Sequence, residues 1–500
     1  MAELAIGVVG LVGTIDTCIR WGKVLVTACA DYRHADEKTE EIILRIDVCW
    51  SRVLSQLTMT RELENSMAVG EKDLQQRTLI VLQRKLEDAV QRVSKVDKHE
   101  VKSRKSKADF TRLKTSLQES VDELESWQKR YEPPLFSLIK GAPPTIDRLL
   151  NLTIEDGTQV AAESSKVAKR FRRVFREPSA QARNVFIGRE HLKACSQEEL
   201  PYCEAFIATR PGGSKRLIVD TTAVGAVSRQ DAREFAHRFQ DTDPFTFGIF
   251  QCKGVVEQPE TSNMAFLFRI PDGYPVVRST RQLLLADQAH DSLSDRLEMA
   301  KQLVNAVYYV HIYGFVHKNV RPKTILSISK VETGSVPITV FLIGFEVVRN
   351  AEGRTNPVNK VKWQSDLYRH PSRQGNHPDY YVMQHDIYSL GVCLLEIGMW
   401  ASLIMYDTSG VAHPSSVFDH DPRQTDANSV KDYFVHLSRS IALRGKMGTK
   451  YSEVVQTCLT CLDENNCDFG DEEDFQGDDG IAVGVRYLEK VMDKLNDISL

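Results

Sequence analysis

The first third of the chain is patterned as a series of amphipathic helices. Apolar residues recur at spacings of three and four in three stretches: Ile43, Ile46, Trp50, Val53 and Leu57; Leu79, Leu82, Leu86, Val90 and Val93; Phe110, Leu113, Leu117, Val121 and Leu124. This spacing places the apolar side chains on one face of each helix. The sequence Glu132-Pro133-Pro134 predicts the end of the third helix, because proline lacks the amide hydrogen that a helix interior needs. With a helix at the N-terminus and another after Pro143-Pro144, we expect an all-α bundle of four or five helices over residues 1–156.

The N-terminal segment is apolar on nearly all faces and carries three glycines. Its apolar and glycine positions are Leu4, Ile6, Gly7, Val8, Val9, Gly10, Leu11, Val12, Gly13 and Ile15. Glycine costs about 1 kcal/mol per residue in a helix in water, whereas small residues let helices approach closely in lipid. We therefore predict that these residues insert into a membrane, although twelve residues rise only about 18 Å and insert shallowly on their own. A buried helix in the centre of the bundle is the alternative interpretation, and we expect it for the resting state.

The middle of the chain mixes strand and helix patterns. Strands are predicted at Arg216–Thr222, at Phe266–Ile270 and at Val340–Ile343, with a hairpin turn at residues 211–214. Helices are predicted around Ala232–Phe235 and over Ala300–Val310, where Leu303, Val304, Val307 and Val310 recur at helical spacing. The order of these elements is typical of an α+β domain.

A motif with chemical meaning follows the second of these helices. Residues 314–324 read Gly-Phe-Val-His-Lys-Asn-Val-Arg-Pro-Lys-Thr, which resembles the protein-kinase catalytic loop H-R-D-L-x-x-x-N. In that pattern the aspartate is the catalytic base and the final asparagine holds a magnesium ion. His317 and Pro322 are in place, but Asn319 stands at the base position and Thr324 at the metal-ligand position. An amide cannot accept the substrate proton as a carboxylate can.

Neighbouring landmarks of the same pattern are altered in the same direction. Gly344-Phe345-Glu346 stands where a kinase has D-F-G, so Phe345 is kept and Gly344 replaces the metal-binding carboxylate. Ser372 stands where the glutamate of A-P-E is expected, whereas Asp386 and Gly391 match a D-x-x-S-x-G helix that supports the catalytic loop. Upstream, no lysine lies in the strand that ends near Thr222, so Thr222 is predicted at the phosphate-pairing position and Glu234 lacks its lysine partner.

The resemblance implies a bilobal protein-kinase-like domain over residues 180–462 that has lost catalysis. Residues that hold such a domain together remain, whereas those that handle phosphate, metal and proton are replaced. We therefore predict a pseudokinase without enzymatic activity, metal or cofactor, and the sequence leaves open whether ATP still docks. The alternative is an unrelated all-α protein with a chance His-x-Asn.

Composition narrows the class of protein. The 500 residues carry a net charge of −4, with 26% charged and 42% hydrophobic residues, and nothing in these values indicates a nucleic-acid partner. No apolar stretch reaches 18 residues, so a membrane-spanning helix is not expected. The ten cysteines are scattered, which suits a reducing cytoplasm. The pair Cys458 and Cys461 has no second pair at metal-site spacing, so we expect no metal there.

Two basic clusters flank the last predicted helices of the bundle. One includes Lys102, Arg104, Lys105 and Lys107, and the other lies in a basic linker helix over residues 157–179 that includes Arg172 and Arg173. Basic segments attract anionic lipids by about 1 kcal/mol per charge near the surface, so these six residues are predicted to bind anionic lipid. Solvated helix surface is the alternative for each cluster. Residues 463–500 are predicted as an acidic loop and a final helix with Val485, Leu488, Val491 and Leu495.

The combined layout resembles a known class of proteins. A glycine-spaced apolar start, a helical bundle and a defective kinase domain are similar to fungal HeLo-domain proteins of heterokaryon incompatibility, and to the mixed-lineage-kinase-domain-like executioners of necroptosis. The resemblance implies a cytoplasmic protein that moves to the plasma membrane on activation, self-associates and permeabilises the membrane through anionic lipids, under an unknown upstream protein trigger. The alternative is a signalling scaffold whose bundle is a protein-interaction or oligomerisation module.

Overall fold

The chain consists of two compact units, Met1–Arg173 and Val174–Leu500. The computed structural model describes residues 10–95, 107–177, 184–213, 215–222, 226–258, 263–286, 292–330, 338–345, 349–350, 362–375, 378–466, 468–469, 484 and 487–498. The first unit is helical, and the second mixes helices with antiparallel sheets.

The first unit is built from six described α-helices, and four of them are long. They are α1 (Leu11–Ala30), α2 (Glu37–Leu63), α3 (Val69–Ser94), α4 (Lys107–Gly141), α5 (Thr145–Asp156) and α6 (Gln159–Arg176), with a 3-10 turn at Glu64–Ser66. Helix α1 packs against α2 and α3, and α4 packs against the same two helices. The predicted apolar faces form this core, because Ile43, Val53, Leu79, Leu113 and Val121 are all fully buried.

Helix α4 continues through Pro133 and Pro134, so the predicted helix end at this point is wrong. Packing explains why the chain keeps its direction across two residues that lack an amide hydrogen. Before the prolines, Trp127 stacks on Tyr131 with ring centroids 4.5 Å apart. After them, Leu135, Phe136, Leu138 and Ile139 are buried. Burial of apolar side chains on both sides of the prolines outweighs the local cost of the missing hydrogen bonds.

The described part of the N-terminal apolar segment belongs to the core of the first unit. Leu11 and Ile15 are buried in α1, and Val12 and Gly13 are half-buried, whereas Gly10 caps the helix and is exposed. The predicted insertion residues Leu4, Ile6, Gly7, Val8 and Val9 lie outside the described residues. In this structure α1 is therefore a packed helix of the bundle.

The second unit begins with a five-stranded antiparallel sheet. The strands of this sheet and the helices between them are α7 (Glu190–Lys193), β1 (Ser196–Glu199), β2 (Phe206–Thr209), β3 (Arg216–Thr221), α8 (Arg229–Phe239), α9 (Pro244–Phe247), β4 (Gln251–Gln258) and β5 (Asn263–Arg269). The strand order is β1-β2-β3-β5-β4. Pairing of Thr209 with Arg216 confirms the predicted hairpin between β2 and β3. The predicted strands at 216–222 and 266–270 and the helix at 232–235 are also present.

The rest of the second unit is mainly helical. It contains β6 (Val276–Ser279), α10 (Thr280–Leu285), α11 (Leu293–Ile312), β7 (Phe315–Val316), a 3-10 turn (Pro322–Thr324), β8 (Ile325–Ser329), β9 (Thr339–Leu342), β10 (Arg349–Asn350), α12 (Trp363–Asp366), a 3-10 turn (Pro371–Arg373), α13 (Met383–Met399), β11 (Ile404–Tyr406), β12 (Ala412–Pro414), α14 (Ala427–Ser438), α15 (Ile441–Leu459), a π-helix (Leu488–Asp493) and α16 (Lys494–Asn496). Strands β6, β8 and β9 form a small antiparallel sheet. Helix α13 is buried along almost its whole length and packs against α11 and α15.

The described part of the C-terminal segment packs on helices α11 and α15 of the second unit. The Tyr487 hydroxyl donates to the carbonyl oxygen of Val304 over 2.8 Å, and its ring stacks on Tyr308. Lys490 and Lys494 lie 3.3 and 3.4 Å from the carboxylate of Asp468. Most of the predicted acidic loop, residues 470–483, lies outside the described residues.

Candidate functional site

The kinase-like loop is held by a buried carboxylate on α13. Asp386 accepts hydrogen bonds from the backbone N–H groups of His317 at 2.7 Å and Lys318 at 2.8 Å. Its oxygens also bond His311 Nε2 at 3.0 Å and the Tyr381 hydroxyl at 2.6 Å. Burial opposes ionisation of Asp386, but the hydrogen bond from His311 and the nearby histidines outweigh it and lower its pKa to about 2. The ionised carboxylate therefore fixes the loop, as the sequence predicted.

A stack of buried rings joins this loop to the five-stranded sheet. His317 packs on Phe345, with ring centroids 4.7 Å apart, and Phe345 packs on Phe235 of α8 at 4.6 Å. Phe235 in turn contacts Phe266 of β5 at 4.9 Å. Burial lowers the pKa of His317 to about 4, so its imidazole is neutral at physiological pH. The retained His317 and Phe345 thus act in packing.

The three positions predicted to have lost catalytic groups come together in space. The side-chain amide of Asn319 donates to the carbonyl oxygen of Gly344 over 2.9 Å. The Thr324 hydroxyl bonds the carbonyl oxygen of Asn319 at 2.6 Å. Gly344 has a φ of +85°, and a Cβ placed on it would overlap the Thr324 methyl group. A side chain at residue 344 therefore has no room in this arrangement.

The place predicted for Thr222 is held by a different residue of β3. The Thr222 hydroxyl accepts from the backbone N–H of Met264 in the neighbouring strand at 3.0 Å. Two residues earlier, Asp220 points at the altered D-F-G segment and accepts from the N–H groups of Gly344 at 2.8 Å and Phe345 at 3.1 Å. Asp220 in β3, and not Thr222 just after it, is therefore the residue that bonds the Gly344-Phe345 segment. A carboxylate stands where a kinase needs a cation.

Asp220 is buried with only 3% of its surface exposed. Burial raises its pKa to about 6 and the charge of Glu204 adds to this, whereas the two N–H donors oppose it. The sequence could have indicated Asp220 through the two-residue period of a strand, which places Asp220 and Thr222 on the same face. Only the folded structure shows which of the two residues bonds the Gly344-Phe345 segment.

The remaining predicted fold residues serve packing and local hydrogen bonding. Pro322 opens a buried 3-10 turn, and a Cβ at Gly391 would lie 2.8 Å from the Cβ of Cys458, so only glycine lets α13 and α15 approach this closely. Glu234 forms an ion pair with Arg238 one turn along α8. The Ser372 hydroxyl lies 3.0 Å from His370 Nδ1 and 3.2 Å from His385 Nε2, which ties its segment to α13.

The predicted lipid-binding residues are distributed differently from the expectation. Arg172 is 1% exposed, and its guanidinium bonds the Asp147 carboxylate at 2.7 Å and the carbonyl oxygens of Ile139, Ala142 and Pro143. Arg172 thus links α6 to the turn between α4 and α5. Its buried guanidinium is not accessible to lipid in this structure, contrary to the prediction. Arg173 is exposed. Lys102, Arg104 and Lys105 lie outside the described residues, as does the side chain of Lys107.

Two features of the described residues bear on metal binding and on membrane crossing. In the parts of the chain that the structure describes, no three histidine, cysteine, aspartate or glutamate side chains are grouped as metal ligands. None of the described helices combines the length and apolar character that crossing a bilayer requires.

Comparison with known proteins supports the kinase-like interpretation of part of the chain. No family model matches the sequence. A stretch of 170 residues is 25% identical to a protein of Arabidopsis thaliana named mitogen-activated protein kinase kinase 9, and it covers 34% of this chain. The chain spans about half the length of that relative. This weak similarity and the antiparallel sheets of the second unit are compatible with a kinase-like domain that follows a helical region.

Proposed function

We propose that this protein is a regulated cell-death effector, in which a HeLo-like helical unit acts on membranes under the control of a catalytically dead kinase-like unit. Its proposed partners are anionic membrane lipids, further copies of itself and an upstream protein trigger. It would reside in the cytoplasm and move to the plasma membrane on activation.

The loss of catalysis is supported above all by the carboxylate of Asp220. Phosphoryl transfer depends on a lysine and metal ions that neutralise the phosphates. Here β3 carries the carboxylate of Asp220 and no lysine in the described residues of that strand. The N–H groups of Gly344 and Phe345 donate hydrogen bonds to this carboxylate. Loss of a general base alone costs about 10²–10⁴-fold in rate. With Asn319 at the base position and no carboxylate at residue 344, no residual transfer is expected.

A phosphate-transfer assay on the full-length protein tests this half of the proposal. Wild type should transfer no labelled phosphate to itself or to a generic substrate. The triple change Asn319→Asp, Thr324→Asn and Gly344→Asp should also stay inactive, because Asp220 remains and the space around residue 344 is too small for a side chain. Transfer by wild type that is lost in Asn319→Ala would overturn the proposal, as would a thermal shift by ATP that requires magnesium.

The membrane half of the proposal is supported by the surface of α6. Lys169, Arg170 and Arg173 are exposed, while Ala168 and Phe171 on the opposite face are buried. An amphipathic helix with basic residues on its polar face is typical of proteins that bind anionic membrane surfaces. Each charge near such a surface contributes about 1 kcal/mol to binding.

A second function, that of a signalling scaffold, is favoured by the position of α1. Leu11, Ile15 and Cys18 are buried in the bundle, so α1 as described stabilises the unit and offers lipid only its outer face. In this alternative the bundle is an interaction or oligomerisation module and has no membrane activity. Insertion of α1 would first require its release from α2 and α3.

Dye release from anionic vesicles separates the two functions. The full chain and the fragment 1–176 should be compared, and the effector proposal expects release by the fragment. Val12→Glu is the informative variant, because Val12 is only half-buried and the change is tolerable in the resting bundle, whereas a carboxylate in the bilayer costs about 2.5–3.5 kcal/mol. Val12→Leu is its matched control. A folded fragment that releases no dye, or a folded Val12→Glu variant that releases dye as wild type does, would favour the scaffold.

A further inference from the structure

The connection between β1 and β2 lies against the altered catalytic loop. It comprises the six residues Leu200–Ala205, which we call the strap. A backbone hydrogen bond of 3.1 Å from Cys203 N–H to the Leu200 carbonyl oxygen folds it into a tight turn. Leu200 and Ala205 are buried, Cys203 is half-buried, and Pro201, Tyr202 and Glu204 are exposed. The strap therefore has an inner side that fills space and an outer side that makes contacts.

Three contacts attach the strap to three different elements. The Ser279 hydroxyl, at the start of α10, donates to the carbonyl oxygen of Pro201 over 2.8 Å. Glu204 forms an ion pair with Lys323 in the 3-10 turn of the altered loop. The ring of Tyr202 packs on Tyr406 of β11, with centroids 4.8 Å apart. The strap is therefore tied at once to the start of α10, to the altered loop and to β11.

The backbone of the strap is strained where it makes its aromatic contact. Tyr202 has a φ of +56°, a conformation that side chains other than glycine rarely adopt. Such a residue stores energy and keeps its conformation only when surrounding contacts enforce it. Here the ring contact with Tyr406 and the ion pair two residues later supply those contacts. Loss of either one should favour relaxation of the whole turn.

The inner side of the strap lies near charged groups of the site. The Cys203 thiol is close enough to Asp220, Lys323 and Glu204 to feel their charges, and burial raises its pKa to about 12. We propose that the strap is a closure over the altered loop, which is held shut by the contacts of Pro201, Tyr202 and Glu204 and opens as one piece. Opening would uncover Asp220, Lys323 and the ring of Tyr406 together.

The alkylation rate of the Cys203 thiol reports the opening of the strap. The labelling rate of each cysteine in the native full-length protein can be followed with iodoacetamide and peptide mass spectrometry. Cys195, half-buried at the end of α7 outside the strap, serves as an internal reference, and the fully buried Cys252 and Cys393 report unfolding. Cys203 should react slowly in wild type.

Charge reversal tests the ion pair directly. Glu204→Lys and Lys323→Glu should each speed labelling of Cys203 by roughly two- to tenfold, as expected for a partly exposed ion pair turned repulsive, and the double exchange should restore the slow rate. Tyr406→Ala should also speed it, while Tyr380→Ala, an exposed tyrosine outside these contacts, should not. Labelling of Cys203 at the wild-type rate in all three single variants, with Cys252 and Cys393 protected, would overturn the proposal. So would a double exchange that labels as fast as the single variants.

Discussion

Two buried aspartates of the second unit make the same kind of backbone contacts, but their pKa values are shifted in opposite directions. Asp386 and Asp220 each accept hydrogen bonds from two consecutive backbone N–H groups. The pKa of Asp386 is lowered to about 2, whereas that of Asp220 is raised to about 6. The remaining neighbours account for the difference. Asp386 also has His311 and Tyr381 as donors, while Asp220 has the carboxylate of Glu204 nearby.

The contrast distinguishes a carboxylate that supports the fold from one that bears on the proposed loss of catalysis. Asp386 has hydrogen-bond donors on both oxygens and holds the loop. Burial opposes the ionisation of Asp220, which bonds the Gly344-Phe345 segment and which we propose to stand where a kinase has a cation. The same pattern of backbone hydrogen bonds can therefore surround carboxylates of very different pKa.

The largest expected effect is that of Asp386→Ala. Two backbone N–H groups, His311 and the Tyr381 hydroxyl lose their acceptor, and we expect a loss of about 3–5 kcal/mol in the stability of the second unit. Because the pKa of Asp386 is lowered, its contribution is present above pH 4 and declines as the pH falls towards about 2. Hydrogen exchange of the amides of His317 and Lys318 measures the effect locally.

Asp407→Ala is the matched control for that variant. Asp407 also accepts two backbone N–H groups, from Ser409 at 2.8 Å and Val411 at 2.9 Å, but in an exposed turn. Its removal should destabilise the protein far less than removal of Asp386, because water can satisfy the freed N–H groups. Equal effects of the two variants on exchange of the loop amides would contradict the role assigned to Asp386.

Gly344 lies between the two regions, and a side chain there should disturb both. Gly344→Ala introduces a Cβ at positive φ that overlaps the Thr324 methyl group, and we expect a cost of about 2–4 kcal/mol. Thr324→Ser removes that methyl group and keeps the hydroxyl. Thermal unfolding should show that the alanine costs less in the serine background. Strictly additive effects in this cycle would mean that the two side chains do not meet.

Asp220→Asn sharpens the comparison through pH. The folded pKa of about 6 lies above the ordinary value of 3.8, so the stability of wild type falls as the pH rises from about 4 to 6. Asparagine does not ionise and can still accept from the N–H groups of Gly344 and Phe345. Relative to wild type, the variant should gain about 1–3 kcal/mol between pH 4.5 and 7.5 in urea unfolding. A pH-independent difference would show that Asp220 has an ordinary pKa.

Glu204→Gln should have the smallest effect. It removes the negative charge that adds to the effect of burial on the pKa of Asp220, while the glutamine amide oxygen can still accept from Lys323 and keep the strap closed, so burial, the main cause, remains. The pKa of Asp220, followed by carbon-13 NMR of its carboxyl group, should move down but stay above 3.8. Asp386, whose neighbours are unchanged, is the internal control. An upward movement, or an equal movement of Asp386, would contradict the assigned cause.

The sequence predicted the second unit better where residue identity and spacing were both distinctive. His317, Phe345 and Asp386 could be predicted from the sequence because each belongs to a motif whose neighbours fix its position, and the structure brings the three together. Asp220 was missed because two residues of one strand face the same side, and without a lysine the sequence offers no reason to choose between them. Such a choice depends on which N–H groups the fold brings within reach.

The first unit shows the same limit in helices. Arg172 and Arg173 are neighbours of one type, and only the packing of α6 decides that the first is buried against Asp147 and the second exposed. The prolines of α4 gave a strong local signal for a helix end, yet buried side chains on both sides of them keep the helix whole. Tertiary contacts, which a single sequence does not reveal, outweigh the local preference of the two prolines for a helix end.

One close approach in the first unit sets how α1 could leave its place. The indole of Trp50 in α2 occupies the space where a Cβ of Gly22 would stand. Moving α1 along α2 by one turn would bring Cys18 or Val26 against that ring, and neither leaves room for it. This contact opposes sliding of α1 by one turn along α2. Under the proposed effector function, the trigger would therefore have to supply the free energy of separating α1 from α2 without a stepwise slide.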